Sequence, residues 1–356
     1  MKKTMLLIAL LLAANGFGQG DITPRPPKKT GSANELVRLS HDTRVGEPYH
    51  AKNMTVYPLF TAGRAANAYR TLDESLASRL IRISEKGEGN VPELLVENLS
   101  DDPVFLLAGE IVTGGRQNRV IAQDILLAPR SGPISLGVFC VEHGRWTAQT
   151  KYFGAEKELA HNTLRQQLSA PSNTQSAVWS EVARKSKAVA PAAAMAAPTG
   201  YLGAALTDSK VQSSVEAYAK PIALPSDANG MAVVIGGQVV GVEIFGDSET
   251  FGKLREKLLR SYAMDAMENA AGETQAAGRE RVEEFLRRVE RARLASKQSV
   301  GIGRFFGIEG GGLYGSVLLW HEQQGAHGVV HTSFFPETPA GEAPQVHPMP
   351  RFSPMR

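Results

Sequence analysis

Hydrophobic and polar positions change period along the chain. From about Met54 to Trp146 they alternate in short runs, which predicts a β-rich half. Within it, Thr71-Leu-Asp-Glu74 has the spacing of a capping box and predicts a short helix through about Leu80. Ile81 to Ser84 is strand-like, and Glu85 to Gly89 reads as a turn. Strands are predicted at Val91 to Glu97, Val104 to Val112, Arg119 to Leu127 and Ile134 to His143. The connections between them are short and favour antiparallel neighbours. From Ala155 to Lys220 the pattern turns helical, with helices predicted at Leu159 to Leu168, Gln175 to Ala188 and Asp208 to Ala219. Met231 to Ile235 and Gln238 to Phe245 then flank Gly236-Gly237, a hairpin signal because glycine supplies positive φ at both turn positions. Asp247 or Ser248 caps the next helix, which runs to about Glu268 with Phe251, Leu254, Leu258 and Tyr262 on one face. A last helix spans about Arg279 to Ser296, before closing strands at Val300 to Ile308, Leu313 to Trp320 and Gly328 to Phe335.

The pattern predicts an α+β fold: a mainly antiparallel sheet or sandwich core with a helical middle segment and C-terminal helices. Residues 51–335 read as a single domain, made of a β-rich half (51–153), a helical segment (154–220) and a hairpin, helix and strand half (221–335). Residues 1–20 read as a signal peptide: Lys2 and Lys3 precede an apolar run from Met5 to Ala14, and small residues follow at Gly16, Gly18 and Gly20. Residues 21–50 read as a linker or N-terminal extension, and 336–356 as a Pro-rich disordered tail. No later stretch is long and apolar enough for a membrane anchor, so the expected location is periplasmic or extracellular.

Composition narrows the partners. The 356 residues are 42% hydrophobic and 21% charged, which suits a folded chain. The net charge is +3, and removing the first twenty residues leaves +1. A chain so nearly neutral lacks the basic footprint that nucleic acid demands. Cys140 is the one cysteine, so no internal disulfide forms.

The richest chemistry lies in Glu110 to Trp146. Alternation puts Val104, Leu106, Ala108, Glu110 and Val112 on one strand face, and Ile134, Leu136, Val138, Cys140 and Glu142 on another. Each apolar row thus carries a glutamate, which needs a partner or a pocket mouth. Arg116, Arg119 and Arg145 are the nearby cations. The candidate ligand-binding set is Glu110, Gln117, Asn118, Arg119, Glu142, Arg145 and Trp146. Arginines would grip an anion in bidentate fashion, amides would orient it, and Trp146 would supply a stacking face. The competing reading of the same residues is a structural Arg–Glu network. Cys140 reads as a small buried hydrophobe rather than a nucleophile. His321, His327 and His331 match no zinc spacing and read as surface histidines, so no metal site is expected. Gly310-Gly-Gly312 is not followed by the residues of a phosphate loop, and no cofactor can be named.

Three stretches carry a family resemblance: Val91-Pro-Glu-Leu-Leu-Val-Glu-Asn-Leu-Ser-Asp101, Leu107-Ala-Gly-Glu-Ile-Val-Thr-Gly-Gly-Arg-Gln-Asn-Arg119 and Val138-Phe-Cys-Val-Glu-His-Gly-Arg-Trp146. Together with Gly241-Val-Glu-Ile-Phe245 and Lys257 to Asp265, they resemble the ARG and rhodanese-phosphatase-superfamily-associated protein domain, a family formerly described as a domain of unknown function. The resemblance implies a setting near nucleotide or ADP-ribose chemistry, and it assigns no reaction. The leading expectation is an exported module that binds a small polar or anionic ligand. A hydrolase or transferase using Glu110 or Glu142 with Arg119 and Arg145 is the second reading, and a cell-envelope interaction protein the third.

Overall fold

The structure is a computed structural model and describes residues 31–62, 69–90, 92–142, 150–189, 208–268, 278–321 and 327–337. The predicted signal peptide, the Pro-rich tail beyond Glu337 and most of the Ala/Pro-rich stretch from Ala188 to Pro198 lie outside these residues. The fold is α+β and dominated by antiparallel sheet.

Helix α1 (Gly31–Asp42) and strands β1 (Arg44–Val45) and β2 (Tyr49–Ala51) come first. Part of the segment read as an N-terminal extension is therefore built into the fold. β3 (Met54–Phe60), β4 (Arg70–Thr71), α2 (Leu72–Ala77), β5 (Ile81–Asn90) and β6 (Glu93–Asn98) follow. The capping box is present: the Thr71 hydroxyl accepts from Glu74 N, and the Glu74 carboxylate accepts from Thr71 N. The Glu85 to Gly89 turn is a correction, because those residues continue β5 past an irregularity in its pairing with β6.

Two predicted strands each divide in two. Val104 to Val112 becomes β7 (Val104–Leu106) and β8 (Glu110–Thr113), while Arg119 to Leu127 becomes β9 (Arg119–Ile121) and β10 (Ile125–Leu127). β7 pairs with β10, and β8 with β9. The two-stranded ribbon bends sharply and passes from one sheet to another. β11 (Ile134–Cys140) and β12 (Gly154–Leu159) complete this half.

Helices α3 (Asn162–Ser169), α4 (Gln175–Val189) and α5 (Ser209–Ala219) form the predicted helical segment. β13 (Gly230–Ile235) and β14 (Gln238–Phe245) are the predicted hairpin, with φ of 57° at Gly236 and 77° at Gly237. Asp247 caps α6 (Ser248–Glu268), its carboxylate accepting from Thr250 N at 2.7 Å. The helix predicted from Arg279 to Ser296 stops early. α7 (Arg279–Arg287) gives way to a 3-10 turn and then to β15 (Arg293–Lys297), which pairs with β16 (Arg304–Gly310). β17 (Leu313–His321) and β18 (His327–Pro336) close the chain.

The largest sheet has the order β1-β3-β13-β14-β18-β17-β16-β15, with β2 on β3. Its central strand β13 is buried on both faces. Met231, Val233 and Ile235 pack toward α5 and α6, while Ala232 and Val234 pack toward α1 and α7. Double burial explains why β13 reads as a continuous apolar run. The second sheet has the order β12-β8-β9-β11-β6-β5 and curls until its outer strands touch. Ser84 bridges Tyr152, and Phe153 N donates to Ile83 O at 2.9 Å. Inside the curl lies a core that includes Ile83, Val96, Val112, Ile121 and Val138. A small sheet, β10-β7-β4, stands between the two. No helix among the described residues is long and apolar enough to cross a membrane.

Candidate functional site

The loop from Gly114 to Asn118 joins β8 to β9 and holds much of the predicted cluster. Its backbone N–H groups converge on oxygens. Gly114 N donates to Asn118 Oδ1 at 3.1 Å and Gly115 N to Thr150 Oγ1 at 3.2 Å. Arg116 N donates to Glu85 Oε1 at 2.7 Å and Asn118 N to Glu142 Oε2 at 2.8 Å. This is an anion-receiving curl of amides, and the chain's own carboxylates stand in it. Gly115 makes the turn with φ of 50°, where a side chain would be strained. A Cβ there would also lie 2.2 Å from the Phe153 ring.

Beneath the loop, Gln117 Nε2 donates to Glu142 O at 2.9 Å, and Arg119 Nη1 donates to Gln117 Oε1 at 3.0 Å. Arg119 is fully buried. The structure thus brings together Gln117, Asn118, Arg119 and Glu142. Arg145 and Trp146 lie outside the described residues. At the end of β11 the Gln175 amide behaves like a short extra strand: it accepts from Cys140 N at 2.9 Å and donates to Cys140 O at 2.8 Å. Cys140 is buried, as its row predicted, and burial pushes its thiol up from the ordinary range.

Glu110 does not join that cluster. Its carboxylate accepts from Lys257 Nζ at 2.8 Å and from Leu107 N at 2.9 Å. Lys257 comes from α6 and also meets Asp73 Oδ2 at 2.7 Å. Burial pushes the Glu110 carboxyl up, and Lys257 offsets only part of that rise. Burial alone would lower Lys257, but the two carboxylates outweigh it and hold the ammonium protonated. The expected arginine partners are replaced by one lysine far along the chain.

A second network was not predicted. His331 Nδ1 lies 2.7 Å from Asp124 Oδ2, and its Nε2 lies 2.9 Å from Glu243 Oε2. Arg165 Nη1 is 2.8 Å from Glu243 Oε1, and the Tyr262 hydroxyl donates to that same oxygen at 2.8 Å. All five side chains are buried. The surface reading of His331 is therefore corrected: bringing carboxylates from the β9–β10 connection and from β14 encloses the ring. Burial alone would lower its pKa, but Asp124 and Glu243 raise it to about 9. Burial would raise Glu243, but Arg165 and His331 draw it down to about 2. His331 pairs across β17 with Leu318, while His321 stands opposite His327. Side-chain positions for those last two lie outside the described residues.

A third network ties the helices together. His161 Nε2 is 2.7 Å from Glu181 Oε1, and Lys185 Nζ is 2.5 Å from Asp265 Oδ1. Arg184 joins Glu181 to Glu268. Burial lowers the His161 pKa, whereas Arg184 and His161 hold Glu181 down at about 2. Among the described residues no cluster of His, Cys, Asp and Glu is arranged to hold a metal ion.

Glu243 and Lys257 had a visible signal. A glutamate interrupts the apolar run Gly241 to Phe245, and a lysine sits beside Leu258 on the buried side of α6. Such a charge inside an apolar pattern demands a partner. Neither the curated proteins nor the solved structures compared with the chain give a match. Residues 42–335 match the ARG and Rhodanese-Phosphatase-superfamily-associated Protein domain, an extent that takes in every buried network above, and the chain belongs to that family.

Proposed function

We propose that the chain is an exported small-ligand-binding module. Its ligand is polar or anionic and is held by Gln117, Asn118 and Arg119 in the place that the Glu142 carboxylate fills, with Arg145 and Trp146 of the following segment as further contacts. The observation that supports this reading is the loop from Gly114 to Asn118. Its amides already receive two carboxylates, and Glu142, half-buried at the end of β11, is the one an incoming anion displaces. Glu110 serves Lys257 and is outside this reading.

Thermal unfolding of the mature protein against phosphate, sulfate, nucleotides, sugar phosphates, dicarboxylates and divalent metals tests it. A ligand at a hundred times its Kd adds about 2.7 kcal/mol. At least one anion should stabilise the wild type, stabilise Glu142→Gln more strongly because the competing carboxylate is gone, and leave Arg119→Ala unchanged. Equal responses in all three proteins, or none in the wild type, would refute the site. Export is tested by fractionation, in which the full chain should leave the cytoplasm and a chain lacking residues 2–20 should remain.

A further inference from the structure

Where β5 and β12 meet at Ser84 and Tyr152, a cleft of about 530 Å³ lies along the seam, with α2 at its side. That volume falls within the range of small-molecule sites. The lining is mostly apolar. Leu76, Leu99 and Ala155 are half-buried and keep part of their surface open. Gly154 is exposed on the wall, and a Cβ there would meet no heavy atom within 4 Å. Tyr152 in the same lining is 44% exposed, the one large apolar side chain left exposed among the described residues. Tyrosine suits such a rim, because its ring is apolar and its hydroxyl tolerates water.

The charged groups of the lining have partners, with one exception. Asp73 accepts from Lys257 at 2.7 Å, and Arg82 donates to Glu97 at 2.7 Å. Nearby on the surface, Arg70 is paired with Asp102 and Arg130 with Asp101. Arg79 is exposed, and among the described residues its guanidinium has no carboxylate, carbonyl or ring partner. Its backbone adds a second observation. Arg79 follows the C-cap of α2 with φ of 56°, a position that glycine ordinarily takes. Main-chain bonds close the turn, from Arg79 N to Leu76 O at 3.0 Å and from Leu80 N to Ser75 O at 2.7 Å, so the turn itself asks for no side chain. An unpaired arginine held in a glycine conformation on the lining of an open cleft is a ready partner for a carboxylate.

We infer that the cleft binds an amphipathic monocarboxylate, an alkyl or aryl acid. Its carboxylate meets the Arg79 guanidinium, and its apolar body lies over Leu76 and Leu99 toward the Tyr152 ring. Asp73 in the same lining repels a second negative charge, so a monoanion is preferred to phosphate or a dicarboxylate. The cleft adjoins the Gly114–Asn118 loop, because the Phe153 ring in its lining also lies against Gly115. The inference does not rest on the anion reading of that loop: its head group is Arg79, and the phosphate that would suit the loop is a poor ligand for the cleft.

Isothermal titration of the full chain with octanoate and phenylpropionate tests the inference, with their neutral amides and with acetate alongside. At least one of the two acids should bind. Its amide, which lacks the charge, and acetate, which lacks the body, should each bind about tenfold more weakly or worse. Arg79→Gly removes the guanidinium and puts the favoured residue at φ of 56°, so it should lose about tenfold or more in affinity while thermal unfolding stays at or above that of the wild type. Gly154→Leu fills the cleft and should abolish binding, and the Arg79→Gly result stands even if that variant misfolds. No heat from either acid, equal binding of acid and amide, or wild-type affinity in folded Arg79→Gly would overturn the inference, whatever phosphate does at the loop.

Discussion

Replacing Glu243 by glutamine removes one charge from a site that water does not reach. In the wild type, Asp124 and Glu243 balance His331 and Arg165. The variant leaves one positive charge in excess. An amide can offer an oxygen to His331 or to Arg165 and Tyr262, and its NH2 group then meets donors on the other side. Removing one partner of a buried ion pair costs about 3–5 kcal/mol, and Glu243→Gln should fall in that range. The pH dependence gives a second reading. His331 is raised from 6.5 to about 9, so between those values the folded state holds more protons than the unfolded chain. The stabilisation is complete below about pH 6.5 and is lost as pH rises through 9, a difference of about 3 kcal/mol at roughly 1.4 kcal/mol per unit. Glu243 behaves oppositely: its contribution is present above pH 4.5 and is lost as pH falls toward 2. Urea unfolding at pH 3, 5.5, 7.5 and 9.5, followed by tryptophan fluorescence, measures both effects. Wild type should weaken from pH 6.5 to 9, and the variant should weaken less because His331 has lost a carboxylate. A variant within about 1 kcal/mol of wild type, or identical pH slopes in the two proteins, would refute the reasoning.

Lys257→Met leaves Glu110 buried opposite no cation and should cost about 3–5 kcal/mol. Adding Glu110→Gln should recover part of it in the same urea assay, and a double variant no better than the single one would count against the pairing. Gly115→Ala forces a side chain onto positive φ and into the Phe153 ring, and should cost more than about 2 kcal/mol, whereas Gly137→Ala, with open space at its Cβ, should stay within about 0.5 kcal/mol. Calorimetry of the two variants decides between a tight loop and a slack one. Cys140 is buried with its thiol pushed up, so iodoacetamide at pH 8 should label it only after denaturant is added, as mass spectrometry would record.

Local chemistry in the sequence predicts the elements that depend on neighbours. The Thr71–Glu74 capping box, the Gly236-Gly237 hairpin and the Asp247 cap are each decided within a few residues, and each is present. The bend between β7 and β8 was hidden because the apolar alternation runs through it from Val104 to Val112. The break at Gly109 reflects a distant neighbour: a Cβ there would lie 2.8 Å from the Arg165 side chain. Residues 293–297 extend a helical pattern, yet the open edge of β16 draws them into a strand. The candidate site divides in the same way. Gln117, Asn118, Arg119 and Glu142 are close in the chain and meet, while Glu110 turns to a lysine 147 residues away that no local pattern could select.

The pairing of β3 with β13 also sets a timetable. Val56 lies opposite Val233, and β3 cannot complete its buried sheet until that partner and then β18 have arrived. The curled sheet draws its strands from one continuous stretch, Ile81 to Leu159, and its loops are far cheaper to close. During refolding, the curled unit should therefore form first and serve as the surface on which the nine-stranded sheet assembles. Pulsed hydrogen exchange should protect Ile121 and Val138 before Val56 and Val233, and the reverse order would contradict this sequence. Until β13 docks, Met54 to Phe60 is paired only with the short β1 and β2 on one edge and leaves the other edge of an apolar strand open, so the long separation along the chain exposes this segment to aggregation while folding is incomplete.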